Sequence, residues 1–150
     1  MMKLITTALG GLMCLVAAIG FANNNAFGMV LTPLHNIMLL VIGAVTIYFG
    51  VAGTEFQARN CCRVLGVVFS ILGIVGFLTP SGVATAGEVT ERTTNLFQLI
   101  PNQLEFTTND HILNMIIGVV GLVMGFFPRE KEIMIDMKAA HPTEKIPTTR

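Results

Sequence analysis

The sequence predicts an all-α protein, an integral membrane four-helix bundle built from two tandem transmembrane helical hairpins. Its 150 residues are 53% hydrophobic and only 12% charged, whereas roughly 25% of residues are charged in an average soluble domain. The apolar residues are concentrated in four long runs, and about 20 such residues cross a hydrocarbon core of roughly 30 Å. In addition, the first two runs resemble the last two in the spacing of their small residues.

The first span is predicted at about residues 4–22 and the second at about 34–53. The first run follows Lys3 and ends in a small-x-small sequence at residues 20–22, so a cleaved secretory signal peptide is the alternative to a retained span. A short polar connection leads to Thr32 and Pro33, which are typical of the N-cap and the first position of a helix. The second span therefore has a defined start.

The third span is predicted at about 61–78 and the fourth at about 111–127, and an outer loop at 79–110 joins them. A charged turn with Glu55, Arg59 and Asn60 leads into the third span. Arg63 lies near the start of that span, and its guanidinium is expected to extend to the lipid headgroups. Within the outer loop, residues 95–101 are apolar enough for a short interfacial helix. Asn109 or Asp110 is the predicted N-cap of the fourth span. The membrane domain thus covers 1–128, and 129–150 form a charged cytoplasmic tail, partly disordered.

Small residues carry the internal repeat. Without a gap, Leu9, Gly10, Gly20 and Phe21 align with Leu65, Gly66, Gly76 and Phe77, and the second span aligns with the fourth in the same way. Glycine or threonine at three- and four-residue spacing lets helix backbones approach closely in lipid. The predicted helix-packing residues are Gly43, Thr46, Gly50, Gly66, Gly73, Gly76, Gly118, Gly121 and Gly125. The repeat predicts a symmetry axis along the membrane normal, and the same stripes could alternatively form a homodimer.

The basic residues predict the orientation in the membrane. With four spans, one side receives Lys3, Arg59, Arg63, Arg129, Lys131, Lys138, Lys145 and Arg150, and the other receives only Arg92. Cytoplasmic loops carry the excess of Lys and Arg. We therefore expect a multi-pass protein of the cell membrane with both termini cytoplasmic.

Two histidines lie near the starts of the second and fourth spans. His35 and His111, with the neighbouring Asn36, Asp110 and Asn114, are the candidates for ligands or helix-start residues. A bis-histidine haem or a metal site needs two imidazoles at similar depth. The glycine alignment places His35 opposite Asp110, however, so the histidines differ by one residue, about 100° around a helix. This favours helix-start roles, and neither a cofactor nor a metal is predicted.

Several classes of function are disfavoured by the sequence. The net charge is zero, which gives no reason to expect a nucleic-acid partner. No catalytic motif is present, so the chain is not predicted to be an enzyme. Cys14, Cys61 and Cys62 lack metal-type spacing and are expected to be free thiols, with a redox or lipidated pair as the alternative. No charged residue lies in the middle of a span, which argues against ion-coupled transport.

The hypothesis that remains is a structural or accessory membrane protein that acts through helix contacts. Its expected partners are the lipid bilayer and either a second copy or another membrane protein. The alternatives are a cofactor- or metal-binding membrane protein that uses His35 and His111, and a small-solute transporter.

A family resemblance agrees with this interpretation. The motifs are L-H-N before the second span, R-x-L-G-V-V-F-x-I-L-G-I-V-G-F-L in the third, L-I-P-N in the long loop and N-D-H-I-L-N-M-I-I-G-V-V-G-L in the fourth. Over about residues 8–127 the chain resembles the bacterial four-helix membrane protein family called domain of unknown function 4383. The resemblance implies a small multi-pass membrane protein and assigns no catalytic residue.

Overall fold

The structure, a computed structural model, describes residues 1–84 and 92–126 and is mostly helical. The helices are α1 (Met2–Ala22), α2 (Pro33–Val51), α3 (Glu55–Phe77) and α4 (Thr108–Phe126). All four are long and apolar enough to cross a membrane. Between α3 and α4, β1 (Gly82–Val83) pairs antiparallel with β2 (Arg92–Thr93), and β3 (Phe97–Ile100) pairs antiparallel with β4 (Leu104–Phe106). The predicted tail at 129–150, with His141, lies outside the described residues.

Helix α3 begins at Glu55, six residues before the predicted start at 61. Thr54 and Gln57 form a capping box, in which the Gln57 N–H donates to Thr54 Oγ1 (3.2 Å) and the Thr54 N–H donates to Gln57 Oε1 (2.8 Å). These bonds satisfy backbone groups that a helix start otherwise leaves without partners. Only residues 52–54 therefore separate α2 from α3, and the charged residues expected in a turn are helical.

The interfacial helix predicted at residues 95–101 is wrong, because β3 and β4 form a hairpin there. The pairing places Phe97 against Phe106, with ring centroids 6.0 Å apart, and such cross-strand pairs stabilise a hairpin. The N-cap of α4 also differs from the prediction. It is Thr107 rather than Asn109 or Asp110, because the His111 N–H donates to the Thr107 carbonyl (3.1 Å) and closes the first helical turn.

The helices pack as two antiparallel pairs, α1 along α2 and α3 along α4, with less extensive contact between the pairs. Buried apolar side chains from all four helices form the core between the pairs. Its helical members are Met13, Val16, Ala17, Leu39, Leu65, Phe69 and Ile117. The outer faces of the helices are also apolar, and they expose residues such as Leu15, Val41, Val45, Ile71, Ile116 and Val123. Soluble monomers rarely expose apolar patches of this extent, so the distribution is typical of helices that face lipid.

Glycines bring the two helices of each pair into close contact. In the first pair, a Cβ at Gly43 would lie 2.7 Å from Cys14 Sγ, and one at Gly50 would overlap Thr7 Oγ1. In the second pair, a Cβ at Gly66 would lie 2.5 Å from the Leu122 backbone nitrogen. Similar close approaches occur at Gly73, Gly76, Gly118, Gly121 and Gly125.

Thr46 differs from the other predicted packing residues. Its Oγ1 donates to the Ile42 carbonyl of its own helix (2.7 Å), and its side chain lines a groove between α2 and α3.

Residues that align in the sequence repeat make equivalent contacts. Gly43 faces Cys14 in the first hairpin, and the aligned Gly118 faces Ser70 in the second. Gly50 faces Thr7, and the aligned Gly125 faces Arg63. Gly20 faces Asn36, and the aligned Gly76 faces His111. Two aligned pairs also meet between the hairpins. His35 Nδ1 lies 4.0 Å from Asp110 Oδ1, and Thr6 Oγ1 lies 3.2 Å from Cys62 Sγ at the opposite end of the helices.

Candidate functional site: a buried polar cluster at one end of the helices

Polar side chains are buried where α2 and α4 begin, below the connection at residues 23–32 and the β3–β4 hairpin. We call them the polar cluster. Its members are Thr32, His35, Asn36, Glu105, Thr107, Asp110, His111 and Asn114. Buried polar groups are costly unless they are hydrogen-bonded, so the partners of each side chain indicate what the cluster does.

His35 joins the start of α2 to three other segments. Thr32 caps the helix by accepting from the His35 N–H (3.2 Å), and the Thr32 hydroxyl donates to the Gln103 carbonyl of the hairpin. The imidazole Nδ1 lies 3.3 Å from the Val30 carbonyl, in addition to its 4.0 Å approach to Asp110. The ring packs edge-on against Phe106, with centroids 4.9 Å apart. His35 is therefore fixed by contacts with the first connection, with α4 and with the hairpin.

Asp110 is only 2% exposed and lies in the first turn of α4. Its Oδ2 accepts from the Thr107 backbone N–H (2.7 Å) and from the Thr107 hydroxyl (2.8 Å). The same hydroxyl is 3.1 Å from the Gly28 carbonyl in the first connection. A carboxylate at this position also interacts favourably with the positive end of the helix dipole. Asp110 thus stabilises the start of α4 and faces His35 of the other hairpin.

His111 is fully buried, and its ring packs against α3. Its Nε2 lies 2.7 Å from the Asn95 carbonyl, so this nitrogen carries the proton. The ring packs edge-on against Phe77 (5.6 Å between centroids) and lies against Gly76, where a Cβ would overlap Nδ1. Among the described residues, Nδ1 has no hydrogen-bond partner. The close fit requires glycine at position 76.

Asn36 occupies the equivalent place in the first hairpin. Its Nδ2 donates to the Leu31 carbonyl (3.0 Å), and its Oδ1 lies against Gly20, where a Cβ would overlap it. Asn114 lies one turn after His111 along α4 and is buried. Its Nδ2 has no hydrogen-bond partner within residues 1–84 and 92–126. Asn114 Nδ2 therefore forms no interhelical hydrogen bond with any residue in this part of the chain.

The hairpin contributes residues that the sequence reasoning missed. Glu105 is fully buried in β4, and its Oε1 accepts from Gln98 Nε2 (2.8 Å) and from the Asn102 N–H (3.1 Å). A single glutamate in a long loop gives no sequence signal for burial. The role of Thr107 could have been found, because Thr107 and Asp110 have the T-x-x-D spacing of a helix start.

The opposite end of the helices carries Arg63, which the sequence analysis expects to extend to the lipid headgroups. Its Nε donates to the Gly125 carbonyl in the last turn of α4 (2.8 Å), and its guanidinium lies 5.0 Å from the Phe126 ring centroid. An arginine at this position satisfies a carbonyl that the helix end leaves open and complements the helix dipole. Arg63 thus ties α3 to the end of α4.

Within residues 1–84 and 92–126, the two histidines bond to different segments of the chain. His35 and His111 turn to different partners, and no group of three His, Cys, Asp or Glu side chains that could hold a metal ion occurs within the described ranges. What the polar cluster does chemically is to hydrogen-bond helix starts to loop carbonyls.

Comparisons with protein families, with curated proteins and with solved structures find no match for this chain.

Proposed function

We propose that this chain is a multi-pass membrane protein in which two repeated hairpins form a four-helix bundle, and that it acts as a structural or accessory component through its helix surfaces. Support comes from the equivalent glycine contacts in the two hairpins and from the apolar outer faces of all four helices. The proposed axis runs along the membrane normal, between His35 and Asp110 at one end and Thr6 and Cys62 at the other.

The observation that carries the proposal is that side chains of the polar cluster bond the helix starts to the connections, whereas His111 Nδ1 and Asn114 Nδ2 have no partner among the described residues. The Thr32, Thr107 and His111 side chains each contact a backbone carbonyl in a connection outside the helices. Together with the apolar core beneath them, these bonds close one end of the bundle. A closed, rigid end suits a protein that presents a fixed surface to lipid and to other membrane proteins.

The proposed orientation follows the distribution of Lys and Arg, with both termini cytoplasmic and the polar cluster on the outer side of the cell membrane. The proposal agrees with the resemblance to the four-helix membrane family, which stays a prediction. Partners beyond the bilayer are a second copy or another membrane protein that contacts the exposed faces of the helices.

An optical spectrum and a metal analysis of the purified protein test the proposal. We expect a colourless preparation without stoichiometric metal, and we expect His35→Ala and His111→Ala to lower stability only. A Soret band or a bound metal that disappears in both variants would instead establish the cofactor-binding alternative. The two variants act as controls for each other. If both histidines hold one cofactor, each substitution removes the same signal, whereas two structural histidines lower stability independently of each other.

A further inference from the structure

The strand β3 is the outer strand of the β3–β4 hairpin. Among the described residues, it pairs with β4 alone. In an antiparallel strand, every second residue directs its N–H and C=O away from the paired neighbour. Within the same residues, the one backbone hydrogen bond of β3 outside its ladder runs from the Gln103 N–H to the Ile100 carbonyl in the turn (3.1 Å). The second edge of β3 therefore carries backbone donors and acceptors that the described backbone does not pair.

The side chains of β3 are exposed, in contrast to those of β4. All three residues of β4 are buried, and β4 contacts α4. On β3, Leu99 is 54% exposed and Ile100 is 43% exposed. The ladder pairs Gln98 with Glu105 and Ile100 with Leu104, so Leu99 between them has no partner on β4. The hairpin thus turns β4 inwards and presents β3 to its surroundings.

The composition of β3 leaves its edge open to pairing. Edge strands of native proteins commonly carry a charged residue, above all Lys, which discourages pairing with another chain. β3 reads Phe-Gln-Leu-Ile and carries no charge. A segment that covers this edge must supply backbone donors and acceptors in an extended conformation. A membrane-spanning helix uses these groups internally, and lipid acyl chains have none, so the edge fits an extended polypeptide strand.

We propose that β3 pairs antiparallel with β3 of a second copy of the chain on the outer side of the membrane. Two copies in one membrane share an orientation, so they present this strand at the same height. The strand is neutral and meets its copy without like-charge repulsion, and a two-fold axis lets each strand donate and accept the same bonds. The inference goes beyond the proposed function, which concerns the helix surfaces, and it rests on the proposed membrane location.

The glycine stripes are already used within each hairpin. The predicted packing glycines lie against the other helix of their own pair, as at Gly43 and Gly66. The edge of β3, by contrast, has backbone groups that the described chain leaves unpaired. A homodimer therefore needs no rearrangement of the helix pairs when it forms through β3.

Single-molecule photobleaching in dilute lipid vesicles measures the association. The full-length chain carries one fluorescent label, so a dimer bleaches in two steps. We expect Leu99→Lys to lower the association constant about tenfold, which corresponds to roughly 1.4 kcal/mol, because each dimer then carries the added charge on two neighbouring strands. Leu78→Lys is the matched control, since Leu78 is 80% exposed and follows α3 at the same end of the helices. The control should associate as the unchanged chain does.

Three results would overturn the proposal. The first is one-step bleaching of the unchanged chain at every lipid-to-protein ratio. The second is an association constant that Leu99→Lys leaves unchanged. The third is an equal loss in Leu99→Lys and Leu78→Lys, because it would reveal a general effect of charge.

Cysteine cross-linking tests the strand pairing itself. In a chain whose three cysteines are replaced by serine, Gln98→Cys, Leu99→Cys and Ile100→Cys are introduced one at a time, and the membranes are oxidised. About a two-fold axis one residue lies opposite itself, whereas the two copies of the next residue are displaced by roughly 7 Å along the strands. We expect disulfide formation to peak at one position, about threefold or more above the lowest, because the bond requires close Cβ atoms. An even profile would indicate random collision and contradict the pairing.

Extraction of membranes at alkaline pH, carried out first, separates this test from the proposed function. A chain released from the membrane refutes the membrane proposal and, with it, this inference. A chain that is retained but stays monomeric refutes only the pairing of β3.

Discussion

The close contact between α3 and α4 predicts that one added methyl group has opposite effects on stability at two glycines, Gly66 and Gly11. A Cβ at Gly66 would lie 2.5 Å from the backbone nitrogen of Leu122 on α4. To restore an ordinary contact of 3.4 Å, α3 and α4 must move apart by about 0.9 Å. At Gly11, by contrast, a Cβ has nothing within 4 Å. Gly11→Ala is therefore the matched control for Gly66→Ala.

The magnitude follows from two opposing effects. Alanine is favoured over glycine in a helix by up to about 1 kcal/mol, and both variants gain this. Only Gly66→Ala is also destabilised by overpacking, typically by about 1–3 kcal/mol. When α3 and α4 move apart, a gap of roughly 0.5–1 Å removes about a quarter to a half of the dispersion energy of each contact between them. We expect Gly66→Ala to be less stable than Gly11→Ala by about 1–3 kcal/mol.

Reversible unfolding in mixed micelles of nonionic detergent and dodecyl sulfate, followed by far-UV circular dichroism, measures this difference. As a second control, the helix content of Gly66→Ala is measured before unfolding, to establish that the variant is folded. If both alanine variants unfold at the same dodecyl sulfate fraction, the close approach of α3 and α4 at Gly66 does not exist and the seam argument fails.

Three further predictions test individual contacts. Gly76→Ala and His111→Ala should each destabilise the protein, and the double variant should be less than additive by about 0.5–3 kcal/mol, because the alanine methyl and the imidazole compete for one space; full additivity would contradict the contact. Asp110→Ala should cost about 1–3 kcal/mol in the same assay, because it leaves a buried backbone N–H without its acceptor; an unchanged midpoint would argue against that bond. Thr6→Cys, with the other two cysteines replaced by serine, should form a disulfide with Cys62 under mild oxidation, because the present Oγ1–Sγ distance is 3.2 Å; a monomer that stays reduced on a non-reducing gel would contradict the packing of α1 against α3.

The four helices were accessible from sequence because apolar runs of spanning length and a Thr-Pro start are strong local signals. The start of α3 was missed because Arg59 and Arg63 resemble a charged turn, whereas the Thr54–Gln57 capping box extends the helix through them. The β3–β4 hairpin was missed for a different reason. A short apolar segment does not distinguish helix from strand by periodicity alone, and the Phe97–Phe106 contact that decides the matter is tertiary.

The polar cluster was accessible only in part. His35, Asn36, Asp110 and His111 were recognised as helix-start residues, and the glycine alignment placed His35 opposite Asp110, which the structure brings to 4.0 Å. The loop carbonyls that complete the cluster gave no signal, because backbone acceptors have no residue-specific pattern and depend on how the connections fold over the helix ends.

Membrane topology tests the central claim most directly. Alkaline phosphatase, which is active only after export, is fused after Gly53 in the α2–α3 turn and after Glu88 in the loop between α3 and α4. We predict an inactive fusion at position 53 and an active one at position 88, each from a chain retained in membranes after alkaline extraction. Activity at position 53, or no activity at position 88, would contradict the proposed arrangement of two hairpins that both start in the cytoplasm.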